Sequence, residues 1–150
     1  MSTPEPAFTH EATIADPPQR VWDALTSGTL TRAYCFDRRV EFRWVVGAPV
    51  RFYDGDSDSD TVTDSGEVLE CDPPRRLVYS FAPVGYPASR VAFELEPQSE
   101  GTRLRLVHHR LADPGDVEGW RAGWTPILTN LQAMLEGRPV ETAAWPERPS

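Results

Sequence analysis

Residues 120–135 read WRAGWTPILTNLQAML, and in them Trp120, Trp124, Ile127, Leu128, Leu131, Met134 and Leu135 recur at steps of three or four. That spacing gathers the apolar residues on one face of a long helix. Gly137 and Pro139 stop it. Pro126 lies inside the run, so the spacing predicts a kink or a restart there, with Thr125 as a new cap.

Upstream of this helix the period is two. Val40, Phe42 and Trp44 alternate with Arg39, Glu41 and Arg43, and Gly47-Ala48-Pro49 turns the chain into Val50 and Phe52. Asp54–Asp60 is a polar loop, and Thr61–Cys71 reads as a longer strand with Gly66 as its bulge. After Asp72-Pro73-Pro74 come three more alternating runs: Leu77, Tyr79, Phe81; Val91, Phe93, Leu95; and Thr102, Leu104, Leu106, His108. Phe8, His10, Ala12 and Ile14 form a half-buried strand at the start. Asp16-Pro17-Pro18 opens a helix, with Asp16 as N-cap and proline in the first turn. Gly28 ends that helix, and a shorter helical piece follows over Thr29–Ala33. The order is strand, helix, short helix, six strands, long helix. One sheet has one face to hide and one long helix to cover it, which makes the fold class α+β with an antiparallel sheet of about seven strands.

The 150 residues suit a single domain. It is expected over 7–137, between a disordered tail at 1–6 and a flexible tail at 138–150. Fifteen basic residues, all Arg, face 23 acidic ones, for a net charge of −8. That field repels phosphate backbones and anionic lipid, so nucleic acid and membrane are excluded as partners. No signal peptide and no apolar run of membrane-spanning length is visible, so a cytoplasmic location is expected. Cys35 and Cys71 are expected as reduced thiols. No cofactor is expected.

Several fragments carry a resemblance. They are Ile14-Ala15-Asp16-Pro17-Pro18 with Val21-Trp22 and Ala24-Leu25-Thr26; Trp44 with Gly47-Ala48-Pro49-Val50-Arg51-Phe52; and Gly66-Glu67-Val68-Leu69-Glu70 through Asp72-Pro73-Pro74-Arg75-Arg76-Leu77-Val78-Tyr79. Val91 with Phe93-Glu94-Leu95, Gly101-Thr102-Arg103-Leu104 with Leu106 and His108, and Gly123-Trp124 complete the set. In this order and spacing, over roughly residues 8–136, the chain resembles the AHSA-like family. That family, named for the activator of the heat-shock ATPase, sits in the START-like, birch-pollen-allergen-like (SRPBCC) superfamily. The resemblance implies a helix-grip fold: a curved antiparallel sheet wrapped around the C-terminal helix, with two short helices after the first strand. It also implies a cavity between sheet and helix that takes apolar ligands. The eukaryotic activator carries an additional N-terminal chaperone-binding domain, which is not expected in this chain.

On that frame the candidate ligand-binding residues are Phe42, Trp44, Phe52, Tyr79, Phe81, Phe93 and His108 from the strands, with Trp120 and Trp124 from the helix. The same rings suit an ordinary filled core. His108 and His10 share inward parities on strands that a helix-grip sheet makes neighbours. They are candidate polar handles or a general base near neutral pH, or else satisfied structural histidines. Glu70 shares the parity of Val68 and is a third candidate handle, unless a bulge resets the register. Asp56, Asp58, Asp60, Asp64 and Glu67 fit positions of a calcium loop, but Thr61 stands where the tight turn needs glycine and the flanks read as strands, so no metal site is assigned. No nucleophile elbow, phosphate loop or helical His pair is present.

Three function classes follow: binding of a small, largely apolar molecule; a polyketide cyclase or hydratase type of enzyme in which His108, Tyr79 or Glu70 handles protons; and a chaperone-linked or stress-response interaction module. In the third, Trp145 and the tail contribute to an exposed patch or to a homodimer.

Overall fold

The computed structural model describes residues 7–27, 30–31, 34, 38–43, 45–54, 62–83, 88–109 and 116–140. The elements are β1 (Phe8–Ile14), α1 (Pro18–Thr26), β2 (Arg38–Phe42), β3 (Pro49–Asp54), β4 (Val62–Asp72), β5 (Arg76–Pro83), β6 (Ser89–Gln98), β7 (Gly101–His109) and α2 (Asp116–Leu135). The strands make one antiparallel sheet in the order β1-β7-β6-β5-β4-β3-β2. Strands β2 to β7 form a meander, and β1 closes onto β7, so the first and last strands are neighbours. This is the expected helix-grip α+β fold. Of the second short helix, Leu30, Thr31 and Tyr34 are helical. Met1–Pro6, Cys35, Trp44, most of the acidic loop and the tail with Trp145 lie outside the described residues.

The alternating pattern settles which face is buried. Val50, Val68, Leu77, Tyr79, Phe81, Val91, Phe93, Leu95, Leu104 and Leu106 line the inner face, and α1 and α2 add Val21, Trp22, Leu128 and Leu131. In its backbone α2 lies nearest to β1 and α1. Both sheet edges are occupied by side chains. The Val40 amide donates to Thr31 Oγ1 at 3.0 Å on the β2 edge, and Gln132 donates to the Thr13 carbonyl at 3.0 Å on the β1 edge. Such cover blunts the tendency of an open strand to recruit another chain.

Three local expectations change. First, Asp16 does not cap α1. Pro17 is the N-cap residue, Pro18 starts the helix, and the Asp16 carboxylate is taken by Arg20 Nε at 2.7 Å. Second, α2 is continuous through Pro126 and does not restart at Thr125. Its end is as expected: Gly137 at φ +75° lets the Arg138 amide reach the Ala133 carbonyl and the Gly137 amide reach Met134, a Schellman closure.

Third, the β4 bulge is not at Gly66. Gly66 pairs with Val50, whereas Val68 pairs with Tyr79 and Glu70 with Val78, which leaves Leu69 as the extra residue. Gly66 is required for another reason. A Cβ there would stand 1.7 Å from the Ser80 carbonyl oxygen. Gly66→Ala is therefore expected to destabilise the protein by roughly 2–4 kcal/mol. Gly119→Ala, in α2 with nothing within 4 Å, should stabilise it by roughly 0.5–1 kcal/mol. Urea unfolding of the two variants checks the pair, and equal effects would contradict the close approach at Gly66.

Candidate functional site

The inner face carries one fully buried imidazole. His108 lies near the end of β7 between Phe8 of β1 and Val91 of β6, and it is 0% exposed. Trp124 of α2 donates its indole Nε1–H to His108 Nδ1 at 2.9 Å. An indole nitrogen only donates, so Nδ1 is the acceptor and the ring proton sits on Nε2. Nε2 lies 2.6 Å from Ser89 Oγ and therefore donates to it. Ser89 Oγ in turn donates to the Phe81 carbonyl at 3.0 Å. The chain of donors runs from α2 through β7 and β6 to β5 with every proton assigned.

This direction decides the chemistry. A serine 2.6 Å from a histidine has the spacing of a nucleophile and its base. A base needs a free lone pair toward the hydroxyl, and here that nitrogen carries the proton. The indole enforces the opposite tautomer from the one catalysis requires. Burial, with the neighbouring His109 as the lesser cause, lowers the His108 pKa from 6.5 to about 4, so the ring is neutral at pH 7. Both of its nitrogens are spent on the fold. Sequence reasoning does not single out Ser89, although its inward parity with Val91, Phe93 and Leu95 is the signal that a polar group faces the core there.

The aromatic residues assemble around this histidine. Trp120 lies 4.4 Å from the His108 ring, Phe81 stands edge-on to Trp120 at 5.6 Å, and Phe93 edge-on to Trp124 at 6.0 Å. Phe52 continues the cluster, 5.8 Å from Phe81 and 6.4 Å from Tyr79. Tyr79, Phe81, Phe93 and Trp124 are buried; Phe52 and Trp120 are only partly so. Near β1 the helix backbone comes close, while toward β3 the span is bridged by ring after ring, from Trp120 to Phe81 to Phe52. Phe42 lies in β2, with its side chain outside the described set.

The remaining candidates stand apart. His10 shares the inner face but faces Leu106, is half-buried, and has its pKa lowered by burial. The partners His108 uses are Ser89 and Trp124. Glu70 does not share the inward parity of Val68: the extra residue Leu69 turns it outward, where it is exposed and 3.4 Å from Arg76. There it joins a row of alternating charge across the outer face. Arg76 also pairs with Glu94, Glu94 with Arg105 at 3.9 Å, and Arg105 with Glu11 at 3.5 Å. Burial, and then Asp72, push the Cys71 thiol up, which keeps it protonated. Asp56, Asp58 and Asp60 lie outside the described residues, flanked by β3 and β4. Among the described residues no three His, Cys, Asp or Glu side chains are grouped to hold a metal, and no helix is long and apolar enough to cross a membrane.

Three outcomes follow from the donor chain. Imidazole ¹⁵N spectra should show the Nε2–H form of His108 at neutral pH, and an Nδ1–H form would refute the assignment. Because the folded pKa lies below the unfolded one, the His108 contribution to stability is complete above about pH 6.5 and is lost as pH falls toward 4. Roughly 2 kcal/mol should go by about pH 5. Ser89→Ala strands the Nε2–H and should cost about 1–3 kcal/mol at pH 7 in urea unfolding.

Comparison with known proteins agrees with the fold. CalU16 from Micromonospora echinospora superposes with a TM-score of 0.73 at 24% identity, over 89% of this chain and 76% of that one. DynU16, from the dynemicin biosynthetic locus, gives 0.73 at 21% identity, over 91% of this chain and 49% of that one. PFC0360w, an HSP90 activator from Plasmodium falciparum, gives 0.71 at 21% identity, over 89% and 97%. No curated protein matches the chain significantly. The family model described as "Activator of Hsp90 ATPase homolog 1-like protein" matches residues 15–136, and with the geometry above this places the chain in the AHSA1 family.

Proposed function

We propose that this protein holds a small, largely apolar molecule between the sheet and α2. The observation that carries the reading is the arrangement of the rings. A buried aromatic cluster ends, toward β3 and the first turns of α2, in Phe52 and Trp120, two large apolar residues left partly exposed. Ligand sites are mostly apolar, with few polar groups. The likeness to DynU16 supports a small-molecule role at the level of the fold. The enzyme reading keeps one of its three proton handlers on this geometry: His108 has no lone pair to offer and Glu70 faces away, while Tyr79 stays on the inner face. A chaperone role has the likeness to an HSP90 activator in its favour, again at the level of the fold alone.

Titration with the neutral fluorophore N-phenyl-1-naphthylamine tests the proposal. Saturable one-to-one binding with quenching of tryptophan emission is expected. Phe52→Ala and Trp120→Ala, both at partly exposed positions, should each weaken it by about tenfold while the fold is retained. Absence of saturable binding to folded protein would overturn the reading.

A further inference from the structure

Two tryptophans one turn apart on α2 hold the same imidazole in different ways. Trp124 is joined to His108 Nδ1 by a hydrogen bond at 2.9 Å. Trp120 lies with its ring centroid 4.4 Å from the imidazole, tilted by 58°. The other side of His108 leads back to Trp120 as well. Nε2 donates to Ser89 Oγ, and Ser89 donates to the Phe81 carbonyl. The Phe81 ring stands edge-on to His108 at 5.8 Å and to Trp120 at 5.6 Å. Trp124, His108, Ser89, Phe81 and Trp120 thus form a closed circuit of contacts, in which Trp120 is the member left partly exposed.

The circuit bears on the ring at its exposed end. The last side-chain torsion of a histidine has broad minima, so the ring turns easily unless something holds its plane. Here hydrogen bonds at both nitrogens hold it. Attraction between rings depends on their mutual orientation. An imidazole fixed in its plane therefore gives Trp120 one preferred seat, and a loose one does not. His108 is 0% exposed and Ser89 is buried, so neither presents surface to a molecule entering between the sheet and α2. Resting on the binding role proposed above, we infer that Ser89 and His108 are positioning residues for that site: they set the Trp120 ring without touching the bound molecule, and so set its affinity from within the core.

The test reads the site with N-phenyl-1-naphthylamine and reads Trp120 with no ligand present. Ser89→Ala and Trp124→Phe release the imidazole from opposite sides. Each should shift the Trp120 indole N–H resonance of the ligand-free protein, assigned as the signal lost in Trp120→Phe. Each should also raise the probe Kd by about fivefold. In a Trp120→Ala background, Ser89→Ala should change the Kd by less than about twofold, because the ring it positions is gone. If Ser89→Ala does not fold, Trp124→Phe carries the same cycle. An undisturbed Trp120 resonance in the released variants would overturn the inference. So would an equal loss of affinity with and without Trp120, which is what a merely structural role produces. Failure of the probe to bind the unaltered protein would overturn the binding role and with it the control of affinity, while the Trp120 resonance would still decide whether the donor chain sets that ring.

Discussion

The hydrogen bond from Trp124 to His108 fixes the helix to the sheet. Apolar contact between α2 and the inner face is non-directional, and a helix held by it alone is free to slide or rotate with small loss. A buried polar pair behaves differently. Each partner has left water, and an unmade bond costs about 1–3 kcal/mol for every stranded group. Because Nδ1 accepts from α2 while Nε2 donates into β6, one imidazole ties the rotation of the helix to the register of three strands. The second tie lies at the far end of α2. Glu136 accepts from the Ala15 amide at 3.0 Å, from Gln132 and from Arg138, which lowers its pKa to about 2. One end of the helix is thus held through the core and the other from the surface.

That junction also explains why the protein keeps a histidine at a position where a leucine would match the parity. Leu104 and Leu106 precede it on the same face of β7 and are as completely buried. A leucine at 108 would remove the acceptor for Trp124 and the donor for Ser89, stranding two polar groups on an apolar face. The three residues form a set in which each is tolerable only because the other two are present. Networks of this kind contribute specificity of arrangement, and their net stability is small unless every member is satisfied.

Much of the fold was legible because both periods are strong. The step of two over 40–52 and 77–108 and the step of three or four over 120–135 leave little choice of architecture, and the inward parities of Tyr79, Phe81, Phe93 and His108 follow from the first. The pattern misleads where one residue changes the count. Leu69 is a bulge without a glycine or proline to mark it, so alternation alone puts Glu70 one step out of phase. Gly66, which looked like the bulge, serves a close approach to Ser80 that only a three-dimensional neighbour reveals. Asp16 has the right type for an N-cap, but Arg20 one turn on competes for the same carboxylate. Pro126 removes one helical hydrogen bond, and that loss is too small to divide a helix whose flanking Trp124, Ile127 and Leu128 are all packed. The donor direction at His108 was not legible at all, since it depends on which neighbour reaches which nitrogen.

The family relation fixes how the chain folds, and the inner face decides what the fold is for. Relatives at about 20–24% identity share the sheet and the helix, and that architecture is compatible with catalysis, carriage or docking. What distinguishes these uses is whether polar groups on the inner face are free to act. Here the buried imidazole is neutral, oriented and bonded on both sides, Glu70 lies on the outer face instead of the inner one, and the charges of the outer row are paired with one another. Among the described rings of the inner-face cluster, Phe52 and Trp120 are the ones left partly exposed.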